Sequence, residues 1–159
     1  MDQILEILEN NARASAGDIA RMTGLSVKEV EKQIRKLEDK GVIVKYKAVI
    51  DKELVEHDNK VRALIEVRVS PQKNVGFDAV AARIYKFPEV RDCYLLSGSY
   101  DLHLVVEGED LHSVARFVSE KLAPLEHVQG TTTNFLLKKY KDDGVILKKP
   151  NSKRLAITP

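Results

Sequence analysis

SAGDIARMTGLSVKEVEKQIRKL, residues 15–37, carries two helix starts and the corner between them. Ser15 followed by Asp18 has the spacing of a capping box, in which each side chain satisfies the other's exposed backbone N–H. Ile19, Ala20 and Met22 are the apolar residues of the helix it opens. Gly24 marks the turn, where a positive φ would cost most other residues energy. Ser26 followed by Glu29 repeats the box, and Val30, Ile34 and Leu37 recur behind it at i, i+4 and i+7. Ala20, Gly24, Val30 and Ile34 are spaced for two helices that cross closely, with Gly at the corner. Lys28, Glu31, Lys32, Arg35 and Lys36 then face outward from the second helix, as in a recognition helix. An ordinary helical hairpin gives the same periodicity. The coincidence of cap, small-residue and Gly positions is what points to DNA.

Charge sharpens this reading little. Residues 26–40 hold five basic side chains against four acidic ones. Along the chain, residues 1–50 hold nine basic and eight acidic residues, 51–137 ten and fourteen, and 138–159 seven and two. The middle block is therefore a poor phosphate binder. The basic end either follows nucleic acid or is a solvated terminus.

With 159 residues, 43% of them hydrophobic and 31% charged, the chain has the composition of one ordinary globular domain or two small ones. No apolar run approaches the roughly 20 residues of a membrane span, so no membrane is expected. The acidic, amphipathic start MDQILEILENN does not read as a secretory signal. One cysteine, Cys93, excludes an internal disulfide framework and suits a cytoplasmic protein.

Working outward from the helix pair, Asp2–Asn10 reads as a first helix through Ile4, Leu5 and Leu8, giving a three-helix unit. Gly41 ends the recognition helix. VIVKYKAVID, residues 42–51, is β-branched and extended, and the polar stretch 52–60 is the candidate linker. Val61, Ala63, Ile65, Val67 and Val69 alternate with Arg62, Glu66 and Arg68 along a strand ending at Ser70-Pro71. Phe77, Val80, Ala81 and Ile84 make a helix that stops near Pro88. Strands follow at 90–96 and at 102–106, joined by a turn at Gly98-Ser-Tyr-Asp. Asp110 caps a helix through Leu122, and 127–140 reads as the last strand. The order β-α-β-β-α-β is the ferredoxin-like arrangement, an α+β fold whose sheet is covered by helices on one face. An apolar open face would call for a second copy packed against it.

Three motifs in this order on this architecture, GLSxxxVxxxIxxLExxGVIxxYxAxxD at 24–51, SGSYD at 97–101 and GTTT at 130–133, resemble the Lrp/AsnC, or feast/famine, transcription regulators over residues 1–140. The resemblance implies a winged or plain helix-turn-helix joined to an amino-acid-sensing domain, and homodimers through the sheets that associate further. It implies an effector, usually a free amino acid, between protomers near Gly98, Ser99, Tyr100 and Asp101, with Thr131, Thr132 and Thr133 forming the rest of the pocket. Two departures stand out. Gln33 occupies a recognition-helix position where the family usually has Arg, and residues 141–159 run past the family's usual end.

The organisation expected is therefore a helix-turn-helix domain at 1–51, a linker at 52–60, a ferredoxin-like sensing and oligomerisation domain at 61–140 and a basic tail at 141–159. The candidate DNA-binding residues are Ser26, Lys28, Glu29, Lys32, Gln33, Arg35 and Lys36, with Lys suited to phosphate or guanine and Gln to adenine. Ser26 reads as a cap before it reads as a base contact. In the turn at 98–101, backbone N–H groups suit a carboxylate and Asp101 an ammonium; a plain hairpin turn has the same composition. Tyr100 suits a pocket wall or an interface, and the threonines are good strand residues in any case. His57, His103, His112 and His127 lack metal-ligand spacing, Cys93 reads as a small core residue, and no catalytic motif is present, so neither a cofactor nor a metal is expected. Double-stranded DNA with a near-palindromic operator is the expected partner. Two rivals remain. One is a siroheme-decarboxylase-like enzyme on the same architecture, using arginines and histidines such as His103, His112 and His127 in a sheet-side cavity. The other is an effector-independent architectural DNA-binding protein.

Overall fold

A computed structural model of the chain describes residues 2–56, 58–70 and 76–147. The chain divides into two compact units, Met1–Ile50 and Asp51–Pro159. The first holds α1 (Gln3–Asn10), α2 (Ala16–Thr23) and α3 (Val27–Asp39). Each start is capped by a side chain that satisfies an otherwise orphaned N–H: Asp2 for α1, and full capping boxes at Ser15–Asp18 and Ser26–Glu29. Gly24 turns the corner at φ 73° and Gly41 follows α3 at φ 68°, both left-handed. Ile4, Leu8, Ile19, Ala20 and Val30 form the core, with Ile34 packed against it. Met22 departs from the expected pattern. It is 68% exposed, on the side of α2 turned away from that core. Residues 42–50 form no strand ladder and are mostly exposed, although Tyr46 donates to Glu38 Oε1 at 2.9 Å. Their β-branched composition meets no partner strand among the described residues.

The second unit is an antiparallel sheet in the order β2-β3-β1-β4, from β1 (Val61–Val69), β2 (Val90–Leu95), β3 (Leu102–Gly108) and β4 (Val128–Phe135). One face is covered by α4 (Asp78–Ile84) and α5 (Leu111–Arg116), the latter continuing as a π-helical turn over Phe117–Leu122. Ala63, Ile65, Val67 and Val69 of β1 and Leu102, Leu104 and Val106 of β3 meet Val80, Ile84, Val114, Phe117 and Leu122 from the helices. Period-2 alternation on the two central strands thus supplies the sheet side of the core. Phe87 meets Phe117 edge to face at 5.6 Å. No described helix is long and apolar enough to cross a membrane.

Three departures have physical causes. The last strand of the sheet ends at Phe135, short of the expected Tyr140, because its partner β1 starts at Val61. The final link is the Leu136 N–H donating to the Arg62 carbonyl at 2.9 Å. Within the stretch read as tail, β5 (Lys141–Asp142) pairs with β6 (Val145–Ile146) across Asp143 (φ 45°) and Gly144 (φ 77°). An Asp-Gly pair with both φ positive matches the right-handed twist of a two-residue hairpin. Residues 148–159 of that stretch, together with Pro71 and His57, lie outside the described residues. Finally, the open face of the sheet is largely polar. It carries Arg62, Glu66, Arg68, Asp92, Tyr94, His103, Glu107, Thr132 and Asn134 around one apolar pair, Leu64 opposite Val105. Polar side chains of this kind can stay solvated, so the argument for a covering copy from an apolar face does not apply here.

Candidate functional site

The capping box that starts α3 fixes which of its side chains remain free. Ser26 Oγ lies 2.6 Å from Glu29 Oε2 and accepts from the Glu29 N–H at 3.3 Å, while the Ser26 N–H donates to Glu29 Oε2 at 2.9 Å. Those bonds, from the Ser26 hydroxyl first and its amide second, hold the Glu29 carboxyl below the usual glutamate range. Both residues sit in the DNA-binding set read from the sequence, and both are already engaged as a cap. Gln33, also in that set, is half-buried and lies off the outward face. Five positions after Lys28 brings a side chain round toward the flank shared with Leu37. Lys28, Lys32, Arg35 and Lys36 are exposed and line one open groove with Glu31, Asp39 and Lys40. Sequence reasoning omitted Asp39 and Lys40 from this face; the spacing 28-32-35-36-39 carries that signal. Arg35 and Glu31 approach to 3.7 Å, an exposed pair of little energetic weight.

In the second unit the expected effector residues separate. Residues 97–101 form a bend between β2 and β3. Gly98 and Ser99 are exposed, and Gly98 does not need a left-handed backbone. Asp101 is committed to the fold: its Oδ2 accepts from the Val69 N–H at 2.7 Å, its N–H donates to the Val67 carbonyl, and its carbonyl accepts from Leu96. The carboxylate expected to receive an ammonium thus has one oxygen closed by the end of β1. The three threonines do not act together either. Thr131 and Thr133 lie opposite Val67 and Ile65, half-buried on the helix-covered face. Thr132 alone points to the open face, opposite Glu66. Tyr100 joins it there through a 3.0 Å contact between the two hydroxyls.

Two residues absent from the effector set share this corner. Arg68 stands opposite Gly130, with its guanidinium carbon 5.6 Å from the centre of the Tyr100 ring. Glu66 stands between His103 of β3 and Thr132 of β4. The sequence signal was the polar half of the β1 alternation, which says which face these residues occupy and nothing about their neighbours.

A separate ion cluster lies at the other end of this face. Glu107 Oε2 accepts from Arg62 Nε at 2.9 Å and from Lys52 Nζ at 3.1 Å, and Lys52 also reaches Asp58 at 3.2 Å. Lys60 lies 3.9 Å from Glu107 and 3.6 Å from Glu109. Burial pushes the Glu107 carboxyl up, but the bonds and charges of Lys52 and Arg62 outweigh it and leave the group below the usual range. The candidate linker 52–60 opens with a 3-10 turn at Lys52–Leu54 and is tied to the sheet through Lys52 and Lys60.

Cys93 packs half-buried against the core, where burial pushes its thiol up and makes it a poor nucleophile. No group of three or more metal-ligating side chains occurs among the described residues. His103 faces the open side of the sheet while His112 sits on α5, over the covered side. These two of the three histidines offered for a sheet-side cavity therefore lie on different sides of the sheet.

Comparisons with known proteins agree with both units. Residues 62–146 match the Lrp/AsnC ligand binding domain and residues 3–44 a winged helix-turn-helix DNA-binding domain. The chain is 49% identical over 158 residues to the uncharacterized HTH-type transcriptional regulator YugG of Bacillus subtilis, covering 99% of this chain and 95% of that one. It is 31% identical over 140 residues to the leucine-responsive regulatory protein of Rhizobium meliloti, covering 88% of each. Among solved structures, a transcriptional regulator of Neisseria meningitidis in complex with L-methionine matches with a TM-score of 0.69 at 28% identity, over 88% of this chain and 89% of that one.

Proposed function

Because the chain belongs to the Lrp/AsnC family, as a DNA-binding transcription regulator with a ligand-binding domain, we propose that it binds a near-palindromic operator as a symmetric homo-oligomer and that a free amino acid modulates this binding. The outward face of α3 carries the reading: Lys28, Lys32, Arg35 and Lys36 are exposed together there, while Ser26 and Glu29 are occupied by the cap. Lysine and arginine there suit phosphate oxygens and the N7 and O6 of guanine. A dimer presents two such helices to successive major grooves roughly 34 Å apart, which gives the operator its symmetry. We assign DNA contact to residues 1–51, and effector sensing and association to residues 61–140. In these terms Ser26 and Glu29 hold the recognition helix, and Gln33 has at most a marginal contact.

The amino-acid effector draws support from the matched ligand-binding domain and from the bound L-methionine of the Neisseria regulator. Coupling requires that the ligand bind one assembly state more tightly than another. The named relatives are transcription regulators, and His103 and His112 diverge across the sheet, so no observation favours the decarboxylase-like alternative. The test is binding of the full chain to the DNA upstream of its own gene, at fixed salt, with competitor DNA and each of the twenty standard amino acids. Competitor-resistant binding altered by one amino acid supports the reading. Binding and oligomer distribution that ignore all of them would overturn the effector half. Sequence-indifferent binding with a steep salt slope would favour an architectural role instead.

A further inference from the structure

We infer that Glu66 and Arg68, neighbours on the open face of β1, are the charged recognition pair of the effector site, taking the ammonium and the carboxylate of a zwitterionic amino acid. The inference rests on the effector reading above and assigns the ligand's two charges to specific side chains.

Register places the two residues. Glu66 and Arg68 are i and i+2 on one strand, so both project from the same face about 7 Å apart. Directly across from them on β4 stand Thr132 and Gly130. Gly130 has no side chain, and a Cβ built there would meet nothing within 4 Å. The face beside Arg68 is therefore open floor, and the Tyr100 ring approaches the guanidinium carbon to 5.6 Å. Among the described residues, neither charge takes part in an ion pair within the chain.

The hydroxyls complete the chemistry. Tyr100 and Thr132 touch at 3.0 Å, and only one of the two can donate to the other. The second O–H remains available on this face, opposite Glu66, to bond a ligand. Glu66 is half-buried between His103 and Thr132, two residues along the same strand face from Arg68. A guanidinium and a carboxylate on alternate residues of one strand face, with a hydroxyl beside them, are complementary to an α-amino acid zwitterion. Asp101, which sequence reasoning assigned to the ammonium, has an oxygen engaged by the backbone of β1.

The test uses the full chain and calorimetric titration with each of the twenty standard amino acids. It then uses the C-terminal amide and the deaminated acid of whichever binds. The expected result is that Arg68→Gln raises Kd at least ten-fold and no longer distinguishes the acid from its amide. Glu66→Gln is expected to raise Kd comparably and to lose discrimination against the deaminated acid. Arg91→Gln, on exposed β2, is the charge-matched control and should titrate as the wild type does. Thermal unfolding of each variant separates lost binding from lost folding. If the wild type binds one amino acid and both variants bind it with unchanged Kd and unchanged analogue discrimination, this assignment is wrong while the effector reading stands. If the wild type binds none, both fall together.

Discussion

Ser26 lies at the start of α3 with its hydroxyl turned back onto the helix. Its removal should act through stability and not through base reading. Ser26→Ala is expected to lower the stability of the first unit by about 1 kcal/mol, as cap losses do, with the ranking of DNA sequences unchanged. Thermal unfolding and binding to a mismatch series check the two halves separately; a relaxed base preference would show Ser26 to be a reader. Lys36 is the opposite case, exposed and free of any described bond. Lys36→Ala should weaken binding evenly across sequences and reduce the slope of log K against log salt by about 1. Glu107 links residue chemistry to pH. Its carboxyl lies below the ordinary glutamate value near 4.5, so its contribution is fully present above that pH and is lost as pH falls through the lower, folded value. Glu107→Gln should cost about 1.5–3 kcal/mol at neutral pH, the range for hydrogen bonds to charged groups, and should flatten the acid limb of the stability curve below about pH 4.5. Urea unfolding across pH 3 to 7 measures both, and an unchanged acid limb would place the acid sensitivity elsewhere.

Among the elements, the junction of β3 with α5 leaves the least room. A Cβ on Gly108 would lie 2.5 Å from Ser113 Oγ and 2.9 Å from a Val114 methyl, with the Val114 backbone nitrogen at 3.3 Å. Ser113 cannot simply swing away, because it is half of the cap that Asp110 places on α5. Gly108 therefore sets how closely α5 lies on the sheet. Gly108→Ala should destabilise the second unit by about 1–3 kcal/mol, the usual range for overpacking. Chemical unfolding of the full chain is the check; a change within about 0.5 kcal/mol, the range of an ordinary surface substitution, would mean that the helix shifts freely. Gly24 is constrained differently. There a Cβ has open space, and only the left-handed backbone demands glycine.

At the scale of the whole molecule, charge is unevenly distributed. The block 51–137 is acidic, whereas the stretch 138–159 is basic and ends with Lys148, Lys149, Lys153 and Arg154. If DNA binding belongs to α3 alone, deleting residues 148–159 should leave the salt slope of operator binding unchanged. Every phosphate that the tail neutralises would add about 0.9 to that slope, so a tail that follows the duplex would be readily detected.

The three helices, their caps and the left-handed glycines were legible in the sequence, because each depends on residues within a few positions of one another. The β-α-β-β-α-β order was legible for the same reason: alternation on β1 and β3 and the periodicity of α4 and α5 are local patterns. The family followed from motifs that those elements hold in order. Tertiary structure alone decided which side chains meet. Only strand register could place Thr132 with Tyr100 and set Thr131 and Thr133 on the other face, and only the end of β1 could engage Asp101. Only pairing across 55 residues could bring Lys52 to Glu107. A chain's periodicity gives the face on which a side chain lies. Its neighbours on that face come from strands distant in sequence, and the backbone hydrogen bonds between those strands determine them.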